Sequence, residues 1–359
     1  MSDASTVLAW YRRHRRDLPW RNSDDPYRIW LSEVMLQQTR VETVLPYYQG
    51  FLERFPTVEA LAAAPLDEVL AAWSGLGYYR RARFLPRAAA AVVGRGGFPR
   101  SVAELRELPG IGEYTAAAVA SIAFGVVSPV LDGNVERVLT RWRALAGDPK
   151  RGELRRKLLA AAAELLDSDA PGDSNQALME LGATICTPRR PNCGSCPLQS
   201  SCRALADGEP EAFPSPRPER PVVREDWVLA LAADDAGRVL LFRRSDEEEL
   251  LAGTWELPSA RAGRRVAVEL GETYGGRWEL GELAGVVRHG ITFRSLELSV
   301  RWARVSSAAG EVAEGPEAGW FAPLEIAALP HSAMVDKALV VAGLLSGSKP
   351  RRRPGCTSR

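Results

Sequence analysis

No apolar run in this chain approaches the eighteen or so residues that a membrane helix requires. The first ten residues lack the basic-then-apolar order of a secretory leader. Net charge is missing too: 46 Lys and Arg stand against 45 Asp and Glu, a balance of +1, so bulk electrostatics does not declare a nucleic-acid partner. Cysteine is scarce, at five residues, which is too few for a disulfide-stapled secreted domain of this size. These absences leave a cytoplasmic globular chain as the expectation.

What is present is concentrated. Cys186, Cys193, Cys196 and Cys202 fall within seventeen residues in the order C-x6-C-x2-C-x5-C. Four thiolates so close suit one compact metal centre, and both tetrahedral zinc and a cubane iron–sulfur cluster accept four cysteines. A zinc ribbon normally carries two C-x2-C knuckles across a longer loop. Here one knuckle has unequal arms, which fits the corners of one 4Fe–4S cluster better than a ribbon. Zinc and disulfides remain the alternatives.

At 359 residues, 46% apolar and 25% charged, the chain has room for about two domains, each with its own core. Up to residue 205 it reads as an all-α domain. Ala60–Trp73, Val102–Leu108, Thr115–Phe124, Asn134–Leu145 and Leu154–Leu166 place apolar residues three and four apart. That part holds 26 Lys and Arg against 22 Asp and Glu; the remainder holds 20 against 23. Between residues 206 and 225 lie Pro210, Pro214, Pro216, Pro218 and Pro221, which predicts a semi-rigid extended linker. Residues 226–346 read as α/β. Trp227–Ala232 and Val239–Arg243 flank an Asp-Asp-Ala-Gly turn and predict a hairpin. Leu296, Leu298, Val300 and Trp302 alternate as a half-buried strand, and Val266–Tyr274 and Ser332–Leu345 read as helices. A disordered basic tail is expected at 347–359.

Leu108-Pro109-Gly110-Ile111-Gly112 separates two helical stretches. Gly110 and Gly112 permit a tight turn that turns backbone N–H groups outward at a helix start, a site suited to a DNA phosphate. Twenty residues on, Asp132 opens another helix and reads as an N-cap or a functional carboxylate.

A hairpin, an aspartate and a four-cysteine loop in this order resemble the helix-hairpin-helix DNA glycosylases, and the chain as a whole resembles the MutY-type adenine DNA glycosylases. Leu18-Pro19-Trp20-Arg21, the stretch from Trp30 to Thr39, Gly75-Leu76-Gly77-Tyr78-Tyr79, Leu131-Asp132-Gly133-Asn134-Val135 and Asn175-Gln176-Ala177-Leu178 carry the resemblance. It implies a DNA-repair glycosidase that excises adenine mispaired with 8-oxoguanine, or with guanine, from double-stranded DNA.

The residue chemistry agrees. N-glycosidic cleavage needs an acid to make adenine a leaving group and an anion to face the oxocarbenium ion. Glu33, set among Leu31, Val34, Met35 and Leu36, is the expected acid because desolvation raises its pKa. Asp132, at a polar helix start, is expected to stay ionised. Tyr114 stands where strand-nicking relatives carry a Schiff-base lysine, so the resemblance implies water attack and no strong lyase activity. By the same resemblance Tyr114 orients the aspartate and sugar, and Asn134 holds phosphate or attacking groups. Gln38 and Tyr78, with Leu36 nearby, are the implied duplex wedge. Leu18, Trp20 and Arg21 are the implied adenine pocket, with the Gln176 amide suited to adenine's N6/N7 edge.

The C-terminal part resembles a Nudix fold. A Nudix hydrolase needs a glutamate six residues after Gly253, where Ser259 stands, and Glu269 and Glu272 lack the adjacent acidic pair. The domain is therefore expected to bind 8-oxoguanine rather than hydrolyse a nucleotide. By resemblance, Ile291, Thr292 and Phe293 stand at the family's lesion-reading loop, with Phe293 replacing a histidine and His289 either a substitute imidazole or a simple strand-end histidine. The expected form is a monomer without membrane contact, associated with the nucleoid through DNA. A bifunctional lyase, a non-catalytic cluster-bearing DNA binder and a Nudix hydrolase fused to a binding module are the rival readings.

Overall fold

The computed structural model describes residues 2–149, 152–215, 221–248, 250–291, 293–306 and 316–346. Thr292 and the basic tail with Cys356 lie outside these residues. Helices α1 (Asp3–His14), α2 (Pro26–Leu36), α3 (Val41–Arg54) and α4 (Val58–Ala63) open the chain. Then come α5 (Leu66–Ala72), α6 (Arg80–Gly94), α7 (Val102–Leu105), α8 (Glu113–Phe124), α9 (Gly133–Arg143), α10 (Gly152–Glu164), α11 (Pro171–Thr184) and α12 (Arg203–Ala206). Among the described residues no helix is long and apolar enough to cross a membrane.

By packing, residues 1–63 and 84–219 form one compact unit, and residues 64–83 and 220–359 form the other. The first unit is helical. One of its cores gathers α1, α8, α9, α10 and α11 around Tyr11, Val135, Leu139, Trp142, Leu158 and Leu178. Helix α2 begins where Asp25 accepts the N–H of Tyr27 at 2.9 Å and Pro26 takes the first turn. It is buried on nearly every side, from Tyr27 through Met35. A helix with no wet face forces any charge it carries into the interior.

Helix α11 touches α8 and α9 through two glycines. A Cβ on Gly172 would lie 2.7 Å from the Ser121 carbonyl oxygen, and one on Gly182 would lie 2.7 Å from Cβ of Asn134. These close approaches set α11 directly against the start of α9.

The second unit holds two sheets. β4 (Ser259–Arg261), β1 (Val223–Ala232), β6 (Arg294–Ser306) and β5 (Arg277–Ile291) form one in that order; β3 (Trp255–Glu256), β2 (Val239–Arg243) and β7 (Ala318–Phe321) form the other. β1 runs parallel to β6, and the remaining pairs are antiparallel. Alternation sorts the strand residues between two cores. Leu229, Leu231, Val239 and Leu241 face α15 (Ala333–Val341), while Val228, Ala230, Leu240 and Phe242 face α13 (Val266–Tyr274). α14 (Pro323–Ile326) is a single turn after β7.

Two expected elements are corrected. Ala60–Trp73 is two helices, because Ala64 and Pro65 interrupt the pattern and Pro65 caps α5. The Asp234 turn forms, with its carboxylate accepting the N–H groups of Ala236 and Arg238, but β1 and β2 do not make a hairpin. They join only at the bridge Ala233–Val239 and enter different sheets, since β1 takes β4 and β6 as its neighbours.

Candidate active site

Glu33 occupies the interior of α2 at 5% exposure. Burial pushes its carboxyl up to about 7; the Tyr114 hydrogen bond works against that rise and the charge of Asp132 adds to it. The Tyr114 hydroxyl lies 2.6 Å from Glu33 Oε2 and 3.2 Å from Met179 Sδ. It has one proton for two acceptors. Burial, then Glu33 and Asp132, raise the tyrosine well above its ordinary range, so it stays a neutral donor.

Asp132 caps α9, accepting Val135 N–H at 2.7 Å on one oxygen and the Asn134 amide at 3.0 Å on the other. Burial raises its pKa, and the bonds from Val135 and Asn134 and the charge of Arg137 pull it back. The polar helix start expected from sequence is thus a buried one, where burial outweighs the hydrogen bonds that favour the carboxylate. Arg137 donates at 2.8 Å to Asn134 Oδ1, at 2.8 Å to the Gly182 carbonyl and at 2.7 Å to the Cys186 carbonyl. Asn175, fully buried, fixes the approach to Asp132 by accepting Val130 N–H at 3.2 Å and donating to Ser121 Oγ and the Ser128 carbonyl.

Leu18 and Trp20 are buried, with Trp20 edge-on to Tyr48 at 5.2 Å. Arg21 is nearly buried and lies within electrostatic reach of Glu33. It is held by Glu180 at 2.7 Å and by the Arg16 carbonyl at 3.1 Å. Glu180 also takes the Arg16 guanidinium at 2.9 and 2.8 Å. Burial alone would raise Glu180, but the bonds from Arg16 and Arg21 win and hold it down at about 2. Gln176 is half-buried on α11.

In the hairpin, Gly110 has φ +77°, and a Cβ there would strike Phe84 at 2.5 Å, so glycine is required. No side chain caps α8 at Gly112, which leaves its first N–H groups open to an anion. Gln38 and Tyr78 both adopt left-handed backbone, φ +59° and +53°, an arrangement costing roughly 1–3 kcal/mol each in non-glycine residues. Tyr78 is 48% exposed and lies over the Arg81 guanidinium at 5.2 Å, with Trp73 the same distance from that guanidinium. Leu36 is half-buried at the end of α2. Gln38 and Leu36 belong to the first unit and Tyr78 to the second.

The four cysteines are unbridged thiols lining one small pocket with Arg141 and Ile185. Buried Arg141 ties the loop down through the carbonyls of Thr187, Pro188 and Phe213 at 2.7 to 2.9 Å, and one of its N–H groups lies 3.4 Å from Cys186 Sγ. Burial pushes the Cys196 thiol up to about 12 and raises Cys193 and Cys202. An all-sulfur donor set with an N–H directed at one sulfur fits an iron–sulfur group, whose iron would displace the thiol protons.

Ile291 and Phe293 sit at the tip between β5 and β6, where Phe293 is partly exposed. His289 pairs with Leu296 inside β5–β6 and contacts Lys337 at 3.4 Å; burial and that lysine lower its pKa. On α13, Glu272 is taken up by Arg265 at 3.2 Å.

Residues 31–163 match the family model described as HhH-GPD superfamily base excision DNA repair protein. Residues 186–202 match the iron–sulfur binding domain of endonuclease III. The adenine DNA glycosylase of Mycolicibacterium smegmatis is 45% identical over 217 residues, covering 60% of this chain and 73% of the relative. The chain belongs to the adenine DNA glycosylase family. The human adenine DNA glycosylase is 49% identical over 217 residues, 57% of this chain and 40% of that protein. The chain spans between 40% and 60% of the length of the plant and mammalian relatives it matches. A solved thermostable thymine-DNA glycosylase is 32% identical with a TM-score of 0.52, covering 57% of this chain and 95% of its own. Within this family frame, Arg137 and Glu180 are the residues that sequence reasoning missed, and Asn175, read there only as part of a motif, is the one whose role it did not give. Glu180 carried the same signal as Glu33, a carboxylate between Met179 and Leu181.

Proposed function

We propose that this chain is a monofunctional adenine DNA glycosylase that flips adenine out of duplex DNA opposite 8-oxoguanine, or guanine, and hydrolyses its N-glycosidic bond. The observation that carries the reading is the carboxylate pair: Glu33 is brought to about 7 while hydrogen bonds restrain Asp132. Two carboxyls in different surroundings, one without a cap's hydrogen bonds and one with them, suit the roles of acid and anion.

Glu33 gives its proton to N7 of the extruded base, and the C1′–N9 bond breaks with its electron pair leaving on adenine. Asp132 faces the resulting oxocarbenium ion, and water adds at C1′ while its proton passes to the Glu33 carboxylate, which restores the acid. Tyr114 serves both states of Glu33: it donates to the carboxylate, and it turns its proton to Met179 when the carboxyl is protonated. With Tyr114 rather than an amine beside the sugar, no Schiff base forms and the strand stays intact. Trp20, Leu18 and Arg21 enclose the base, Gln176 reads its edge, and Asn134 steadies Asp132 and the sugar phosphate. Gln38, Tyr78 and Leu36 fill the gap in the duplex, and the Gly110–Gly112 turn holds a phosphate. Cys186, Cys193, Cys196 and Cys202 would hold one 4Fe–4S cluster, which fixes the loop and its exposed Arg189 and Arg190 against DNA. Residues 1–205, apart from the 64–83 segment that packs with the second unit, are assigned to catalysis, and the expected linker of 206–225 is shortened by β1, which begins at Val223. Residues 226–346 form a Nudix-like domain that reads the lesion through Ile291, Thr292 and Phe293. The protein acts as a monomer in the cytoplasm.

The test is a duplex with adenine opposite 8-oxoguanine, with and without alkali. Cleavage at adenine only after alkali is the expected result. Nicking without alkali would mean a lyase, and an uncut strand would mean a binder.

A further inference from the structure

Residues 74–79, which carry Tyr78, are clasped by residues 329–331 of the same unit. The Tyr79 hydroxyl accepts the N–H of Gly75 at 3.0 Å and donates to the carbonyl of His331. The N–H of His331 donates to Ser74 Oγ at 3.1 Å, and that hydroxyl in turn lies 3.4 Å from the Leu329 carbonyl. The loop is therefore gripped on both sides of its glycines.

The clasp is itself anchored. The His331 ring is buried, with Nδ1 2.8 Å from the Leu329 carbonyl and Nε2 2.8 Å from Asp336 on α15. The Pro330 carbonyl accepts Trp255 N–H at 2.7 Å, which joins the segment to β3. Gly75 and Gly77 have φ +90° and +79°, so this loop has little stiffness of its own. Yet it holds a half-exposed tyrosine in left-handed backbone, a conformation that persists only where the surroundings over-determine it.

We infer that the segment Leu329–His331 positions Tyr78 for entry into the duplex, with the Tyr79 hydroxyl as the positioning group. The sheets at the C-terminal end then act on base extrusion through the wedge loop, apart from any contact they make with the opposite base. The inference rests on the reading of Tyr78 as a wedge.

Tyr79→Phe keeps the ring and removes the bridging hydroxyl. Single-turnover excision of adenine opposite 8-oxoguanine is compared in the full-length, cluster-loaded parent, Tyr79→Phe, Tyr78→Ala and the double variant. Tyr79→Phe is expected to slow the parent about tenfold and to change Tyr78→Ala less than twofold, because the hydroxyl acts through Tyr78. A Tyr79→Phe rate within twofold of the parent, or an equal loss in both backgrounds, would overturn the inference and leave the hydroxyl a general structural tie. If Tyr78→Ala itself excises at the parent rate, the wedge reading falls and the inference with it. Should Tyr79→Phe fail to fold, Ser74→Ala, which removes the acceptor of the His331 N–H, takes its place in the same cycle under the same criteria.

Discussion

A carboxyl at about 7 is half protonated at neutral pH, where an ordinary glutamate is protonated in only about 0.3% of molecules. Excision should therefore fall about tenfold between pH 6 and pH 8, and Glu33→Gln should lose roughly 10²–10⁴-fold at every pH. Single-turnover rates across that range check both outcomes. The same shift bears on stability. The folded value lies above the unfolded 4.5, so the stability Glu33 contributes is complete below about 4.5 and lost as pH rises to about 7. Glu33→Gln should raise Tm relative to the parent at pH 8 more than at pH 5. Asp132→Asn separates capping from catalysis, because asparagine caps a helix as well as aspartate does. Tm should stay close to that of the parent while excision drops about 10²-fold or more. A lowered Tm with excision intact would reduce Asp132 to a cap. Glu33 is legible because its neighbours in α2 are apolar. Glu180 is not, although its surroundings are similar, because its role is defined by Arg16 and Arg21, some 160 residues earlier in the chain.

Helices read well where one stretch decides its own fate and poorly where a distant partner does. α13 carries its own period and lies where that period predicts, at Val266–Tyr274. The expected hairpin fails because a good local turn at Asp234 says nothing of β6, some 70 residues later, whose parallel pairing draws β1 away from β2. Gly182 belongs to the same class. Within its own helix it is only a weak helix former, and its reason lies in α9, whose first residues it lets approach. Gly182→Ala should force α11 off α9 and displace Asn134 beside Asp132. The cost expected for overpacking is about 1–3 kcal/mol of stability, with excision falling more steeply than binding. Thermal melts alongside mispair affinity check this, and a variant with parent-like melting and excision would show that α11 simply moves aside.

With a net charge of +1, the proposed DNA binding has to rest on local basic groups rather than a general field. An Arg189→Ala/Arg190→Ala double variant should lower the slope of log affinity against log salt by nearly two, about 0.9 for each phosphate no longer neutralised. An unchanged slope would remove these arginines from the interface. Within the second unit, residues 64–83 are tied to the part that follows residue 220 through Arg243–Asp67 at 2.7 Å, Arg83–Asp246 at 2.9 Å and the His331 clasp. A chain ended after residue 219 should accordingly be cut by trypsin at Arg80, Arg81 or Arg83 far faster than the full chain, and equal cutting would show that the segment needs no partner. The same dependence has a consequence during synthesis. Tyr79 and His331 are 252 residues apart, so at about 5–20 residues per second the Tyr79 loop emerges roughly 13 to 50 seconds before its clasp. Once Asp132 has been made, the nascent chain holds both carboxylates proposed for excision, while the loop proposed to open the duplex still lacks its clasp.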